Sequence, residues 1–248
     1  MNNLIELFIL GIIQGMTEFF PISSSGHLVI GQDILNISNL DATEEIIAHF
    51  GTLFSIIYFY RSSFFSRKHP SDFFHSKNLT KLVLATIPAI VFALVFDVES
   101  YFNIGFVEKA LLINGVWLIS ATILTNTFKF DLTNKIALVL GIFQSIAILP
   151  GISRSGAVIC AALILGIKKS EIIKFCFYMV VPATILSIFY KLIFSASGFS
   201  ILSFESSVVL FSSSFIFGYL SLVFLIKILE KFSFIGFGVY CIIVSFLI

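Results

Sequence analysis

Charge is what this chain has least of. Asp, Glu, Lys and Arg make up 12% of its 248 residues, against roughly 25% in a soluble globular domain. Apolar residues reach 58%, and the mean hydropathy is +1.06. A water-soluble fold is therefore excluded. Period-2 alternation is missing as well, which argues against a transmembrane β-barrel. The 15 Lys and Arg nearly balance the 14 Asp and Glu, so neither nucleic acid nor an acidic partner is indicated. Cysteine is scarce: Cys160, Cys176 and Cys241 stand singly in apolar surroundings, as buried small hydrophobes rather than a disulfide or metal set. The four histidines lack zincin-type spacing, which disfavours zinc. Met1 to Glu6 carries no basic residue, so no cleaved signal peptide is expected there.

What is there instead is a series of apolar runs of about 20 residues, the mark of a polytopic all-α membrane protein. Six spans read cleanly: about 45–61, 81–97, 108–126, 175–194, 207–226 and 232–248. Two further segments, about 3–31 and 136–167, are broken by Pro21 and Pro150 inside Ser- and Gly-rich strings. Each reads as a re-entrant helix–loop–helix, because non-helical backbone at membrane depth survives only within protein or beside a wet cavity. The broken segments align without a gap at an offset of 130 residues. Gly11, Ile12, Gln14, Ile22, Ser23, Ser25 and Gly26 return as Gly141, Ile142, Gln144, Ile152, Ser153, Ser155 and Gly156. Thr52-Leu-Phe-Ser55 and Ile104-Gly-Phe are echoed by Thr184-Ile-Leu-Ser187 and Ile235-Gly-Phe.

The chain thus divides into repeat A (1–130) and repeat B (131–248) of one membrane domain. Three spans separate the broken segments, so the two halves are expected to be inverted in the membrane. Charge agrees. Arg61 to Lys81, Lys129/Lys135, Lys168 to Lys174 and Lys227/Lys231 fall on one side, and Asp97, Glu99 and Glu205 on the other. Basic loops mark the cytoplasmic side, which puts both termini outside and lets the two broken tips meet near the midplane.

Ionisable residues inside such segments are costly, about 2.5–3.5 kcal/mol each at the bilayer centre, and mark function by default. Glu18 and Arg154 could satisfy each other as a structural ion pair, but hydroxyls and glycines crowd around both. Glu18 is a hard oxygen ligand suited to Mg²⁺ or Ca²⁺, and Gln14, one turn earlier, offers a neutral carbonyl. Ser23, Ser24, Ser25 and Gly26 supply hydroxyls and N–H groups at a helix start, a place suited to anions. His27 is a proton carrier near neutral pH. Arg154 offers a fork for phosphate oxygens, and Gly151 and Gly156 allow close backbone approach. A carboxylate metal ligand, an Arg clamp, a Ser nucleophile and a His form an inventory for cleaving a phosphate ester or anhydride.

Gln14-x-x-x-Glu18-Phe-x-Pro-x-Ser-Ser-Ser-Gly-His27 and Pro150-Gly-x-Ser-Arg-Ser155-Gly resemble the two signatures of the bacterial undecaprenyl-diphosphatase (bacitracin-resistance) family. The likeness extends to Phe50-Gly51-Thr-Leu and Phe237-Gly-Val-Tyr240, nearly the whole chain. It implies a metal-dependent multi-pass enzyme of the bacterial cytoplasmic (inner) membrane. That enzyme would convert undecaprenyl diphosphate to the monophosphate at the outer face, recycling the lipid carrier for peptidoglycan synthesis. Its substrate would be a long-chain prenyl diphosphate, and monomer and homodimer both stay open. The resemblance makes Ser24 the nucleophile candidate, with phospho-His27 as the competing version. It makes Arg154, flanked by Ser153 and Ser155, the diphosphate-binding residue, and Glu18 with Gln14 the metal position. Three positions depart from the family pattern: Ser25 and Val158 stand for threonines, and Cys241 for an arginine expected to bear on lipid or headgroup contacts. The inverted repeat also suggests an alternative, a transporter or flippase for a phosphorylated lipid.

Overall fold

A computed structural model describes residues 4–37, 41–65, 76–125, 130–194, 201–231 and 233–248. The chain runs α1 (Leu4–Glu18), α2 (Ser24–Leu35), α3 (Ala42–Phe59), the short α4 (Arg61–Phe65), α5 (Ser76–Val95) and, after a 3₁₀ turn at Glu99–Tyr101, α6 (Ile104–Ile123). The second half runs α7 (Asn134–Ile146), α8 (Arg154–Ile164), α9 (Lys169–Phe194), α10 (Phe204–Lys231) and α11 (Ile235–Leu247). No strand occurs among the described residues; Phe130 and Ile167 make one isolated bridge. The basic positions Arg67, Lys68 and Lys129 lie outside the described residues.

Both broken segments are helical hairpins. Proline lacks an N–H and disfavours helical geometry at its predecessor, and α1 and α7 stop at Glu18 and Ile146, ahead of Pro21 and Pro150. Each returning helix starts on a serine cap. Ser23 Oγ accepts from Gly26 N at 3.3 Å, and Ser153 Oγ from Gly156 N at 3.1 Å. The hairpin helices hold 11 to 15 residues, so at 1.5 Å per residue each spans roughly 17–23 Å, short of a hydrocarbon core of about 30 Å.

Among the described residues four helices are long and apolar enough to cross a membrane: α5, α6, α9 and α10. Of the six expected spans, two are different. Helix α11 has 13 residues, and α3 begins on a capping box between Asp41 and Glu44 and carries Glu44, Glu45 and His49 in its first half. That polarity has a use described below. Large apolar side chains such as Ile123 and Phe246, 71% and 76% exposed, cover the outer surface. Lipid tails solvate such a surface and water does not. Cys160, Cys176 and Cys241 are buried free thiols.

Two of the packing pairs recur when residues 1–130 are exchanged with 131–248. Helix α1 lies on α10 and α7 on α5; α3 meets α10 and α9 meets α5; α3 also packs on α9 and α6 on α11, and every one of these contacts joins residues 1–130 to 131–248. Small residues permit these contacts, as in helix pairs generally within lipid. A Cβ on Gly15 would sit 2.7 Å from Gly218 N and Ser214 O of α10, and one on Gly51 of α3 would sit 2.6 Å from Ser214 Cβ. Gly115 and Gly238 face each other's carbonyl oxygens at the α6–α11 crossing. At the edge away from this packing, Lys168 donates to Asp131 at 2.5 Å, and this hydrogen bond holds the exposed Asp131 carboxyl below its usual range.

Candidate active site

The two hairpin tips are joined directly. Ser23 Oγ accepts from Gly151 N at 3.0 Å, while Ser153 Oγ and Ser155 Oγ donate to Phe20 O at 3.2 and 3.1 Å. Asn114 of α6 donates to Pro21 O at 3.0 Å and accepts from Ser153 N at 3.1 Å. Backbone carbonyls stranded where α1 ends are thus satisfied by the opposite tip at Phe20 and by α6 at Pro21. The approach is close enough to demand glycine: a Cβ on Gly26 would lie 2.9 Å from Gly151 Cα, and Gly151 has φ of +93°. Ser23 adopts φ of +70° without being glycine, a strained geometry that its two accepted bonds hold in place.

This junction sets the charged groups. Glu18, on the last turn of α1, accepts at Oε2 from Ser24 Oγ at 2.6 Å and from Gln14 Nε2 at 3.0 Å. Its other oxygen lies 3.8 Å from Arg154 Nη1, which also donates to Thr184 Oγ1 of α9 at 3.3 Å. The Glu18 side chain is 3% exposed and that of Arg154 24%. Gln14 Nε2 stands 3.1 Å from His49 Nδ1. With the amide donating to the carboxylate and to the imidazole, Nδ1 is the acceptor and the ring proton sits on Nε2.

Glu18, Ser23, Ser24, Ser25, His49, Ser153 and Arg154 line one cavity of about 140 Å³. Its walls come from α5, α7 and α9, and Val98, Glu99 and Phe102 border it between α5 and α6. Prolines sit inside both long wall helices, Pro88 in α5 and Pro182 in α9. Each removes a helical hydrogen bond next to the cavity. Gln144, the counterpart of Gln14, also lines it. Gly26, Gly151, Ser155 and Gly156 lie behind the wall, in the joint between tips.

His27 is placed elsewhere. Its Nδ1 lies 2.7 Å from Ser23 O and its Nε2 2.9 Å from Tyr240 Oη, with the rings stacked at 5.6 Å. It borders an apolar groove with Ile12, Met16, Phe20 and Phe237, not the cavity holding Glu18. The imidazole at the cavity is His49, which the sequence motifs do not single out. Its signal was an ionisable residue inside an apolar span, four residues after Glu45 and so on the same face. Of the departures, Val158 is buried in α8, and Cys241 is wholly buried with Asn114 Nδ2 donating to its Sγ at 3.4 Å. Position 241 therefore meets the tip joint, not lipid as expected.

A divalent cation finds a partial ligand set. Among the described residues no three His, Cys, Asp or Glu form a metal cluster. Glu18 offers a carboxylate, and Gln14 Oε1 is a buried acceptor without a hydrogen-bond partner. Mg²⁺ commonly binds through one or two protein oxygens together with water and substrate phosphates. The residues fit a cation on those terms, with substrate completing the shell.

Residues 7–247 match the family described as bacitracin resistance protein BacA. The chain belongs to this family. It is 36% identical over 259 residues to the undecaprenyl-diphosphatase of Buchnera aphidicola subsp. Acyrthosiphon pisum (strain Tuc7), covering 100% of this chain and 97% of that protein. Undecaprenyl-diphosphatase 3 of Bacillus cereus is 35% identical over 246 residues, covering 96% and 93%. The Bdellovibrio bacteriovorus undecaprenyl-diphosphatase is 33% identical over 255 residues, covering 98% and 94%. Membership in the BacA family fits the all-helical architecture with its four apolar spans.

Proposed function

We propose that the chain is an undecaprenyl-diphosphate phosphatase, cleaving the anhydride bond of a long-chain prenyl diphosphate. The observation that carries this reading is the Ser24 hydroxyl, 2.6 Å from a buried Glu18 carboxylate that also faces Arg154. A serine donating to a carboxylate is a nucleophile beside its base. Arg154 holds the non-bridging oxygens of the terminal phosphate. Glu18 takes the Ser24 proton, and Ser24 Oγ bonds to the terminal phosphorus. The bond to the bridging oxygen breaks, and the lipid monophosphate leaves. Water then hydrolyses the phosphoserine, with Glu18 again handling the proton. Gln14 holds Glu18 in place and is itself held by His49. A divalent cation on Glu18 and Gln14 Oε1 would neutralise phosphate charge. The placement of His27 between Ser23 and Tyr240 favours a positioning role for it.

The site works at the outer face of the cytoplasmic membrane in this reading. The cavity borders the Asp97/Glu99 connection, while Arg61 and Lys81 occupy the opposite ends of α3 and α5. By the positive-inside rule, the first is outside. Inverted halves are supported by packing pairs that survive exchange of residues 1–130 with 131–248. Hydrogen bonds joining the tips weigh against a transporter in which the halves rock apart. The deciding experiment measures phosphate release from undecaprenyl diphosphate by purified protein with Mg²⁺ or Ca²⁺, wild type against Glu18→Ala. Release abolished by the substitution is expected, with the trapped phosphoryl group on Ser24. No release by folded wild-type protein would overturn the reading, and a phosphoryl group on His27 would overturn the role of Ser24.

A further inference from the structure

Two cations face the cavity among its described lining residues, and the mechanism uses only Arg154. The other is Lys191. It stands on α9 seven residues beyond Thr184, the Arg154 partner, with Ser187 lining the wall between them. At 1.5 Å per residue this places Lys191 roughly 10 Å further along nearly the same helix face. The side chain is 17% exposed, lies 5.7 Å from the Phe102 ring and pairs with Glu45 of α3.

A lysine in an apolar membrane helix is expensive, and Glu45 offsets that cost. Tying α3 to α9 does not require the pair, since apolar residues of similar volume serve as well or better. Nor does such a tie require the lysine to line a cavity while its carboxylate partner does not. An ammonium has three donors on a flexible stem, so it can keep Glu45 and still reach an anion.

We propose that Lys191 is a second anion subsite. It takes the lipid-side phosphate of the diphosphate while Arg154 holds the terminal one. The proposal rests on the cavity being the diphosphate site. Ser187 then lines the wall between Lys191 and the part of α9 that holds Arg154 through Thr184. A diphosphate engages both cations and a monophosphate one, so substrate is held more tightly than either product.

The test uses purified full-length protein in detergent, with inorganic pyrophosphate and inorganic phosphate as probes in calorimetry. Variants are Lys191→Met and the neutral pair Lys191→Met/Glu45→Met, which leaves no unpaired buried charge. Wild type should prefer pyrophosphate by about tenfold or more, the scale of one charge-assisted contact. Both variants should lose most of that preference and raise KM for the lipid diphosphate by a similar factor, with kcat nearly unchanged. A double variant that keeps the wild-type preference, or a wild type with none, overturns the subsite. Lys191-dependent pyrophosphate binding by a wild type that releases no phosphate from lipid would support the subsite and sink the proposed activity.

Discussion

Replacing Glu18 by Gln removes one charge and keeps the shape, and two separate losses follow. The first is catalytic. An amide cannot take the proton of Ser24, which now donates at 2.6 Å to Glu18 Oε2. Positioned bases contribute about 10²–10⁴-fold, or roughly 3–5 kcal/mol of barrier, and kcat should fall by that factor. The second loss is in folding. Ser24 Oγ and Gln14 Nε2 both donate to Oε2, and Arg154 faces Oε1 at 3.8 Å. Breaking a buried pair costs about 3–5 kcal/mol. Arg154, with 24% of its side chain exposed, recovers part of its hydration, so a loss of about 1–3 kcal/mol is expected. Arg154→Met added to Glu18→Gln should restore much of that stability and none of the activity. Phosphate release and thermal unfolding, measured on the same detergent-purified proteins, separate the two effects. A Glu18→Gln enzyme with kcat near wild type would refute the assignment of Glu18 as base.

Other expected outcomes test the frame around the site. Gly15→Val places a branched side chain where a Cβ alone would meet α10 backbone at 2.7 Å, so a loss of at least about 1–3 kcal/mol should appear as lower yield and melting temperature. Gly236→Val, whose Cβ would meet nothing within 4 Å, is the matched neutral control. His27→Ala loses contacts to Ser23 O and Tyr240 Oη, and should cost about 1–3 kcal/mol of stability. Tyr240→Phe should reproduce part of that cost. The kcat of His27→Ala should fall less than that of Glu18→Gln, and an equal fall would return His27 to the chemistry. Cys160, Cys176 and Cys241, buried as free thiols, should resist a maleimide until the protein is unfolded in dodecyl sulfate.

The hairpins were legible because their signals are local. Pro21 and Pro150 stand in Ser- and Gly-rich strings that break the helical pattern, and Ser23 and Ser153 each accept a capping bond from the glycine three residues on. The pairing of Glu18 with Arg154 was legible through the repeat, which places both at a tip. His27 was less so. Three residues after Ser24, it reads as a neighbour on the same face, but its ring turns back to the Ser23 carbonyl. That local bond aims Nε2 at α11 and away from Glu18. His49 and the Lys191–Glu45 pair carry no motif at all. Their relation to the site depends on how α3 and α9 sit against the hairpins, which no short-range pattern encodes.

Small residues at positions aligned by the offset differ where the cavity forms. Gly11 and Gly141 are alike, and both allow close contact, with α10 and α5 respectively. The next glycines are not matched. At the same offset of 130 residues, Gly15 becomes Ser145, and at the offset of 132 that relates Thr52 to Thr184, Gly51 becomes Ala183. In the first copy Gly15 and Gly51 meet Ser214 and Gly218, and α1, α3 and α10 close without a gap that a Cβ could enter. In the second copy those positions carry side chains, and Ala183 lines the cavity among α5, α7 and α9. Ile148, the apolar counterpart of Glu18, lines the same cavity, facing a space whose charges come from Glu18, Arg154, Glu99 and Lys191. Glycine thus accompanies the tight α1–α3–α10 contact, and serine and alanine stand at the corresponding positions of α7 and α9, which with α5 wall the cavity. At that cavity Glu18 and Ser24 from the first tip meet Arg154 from the second.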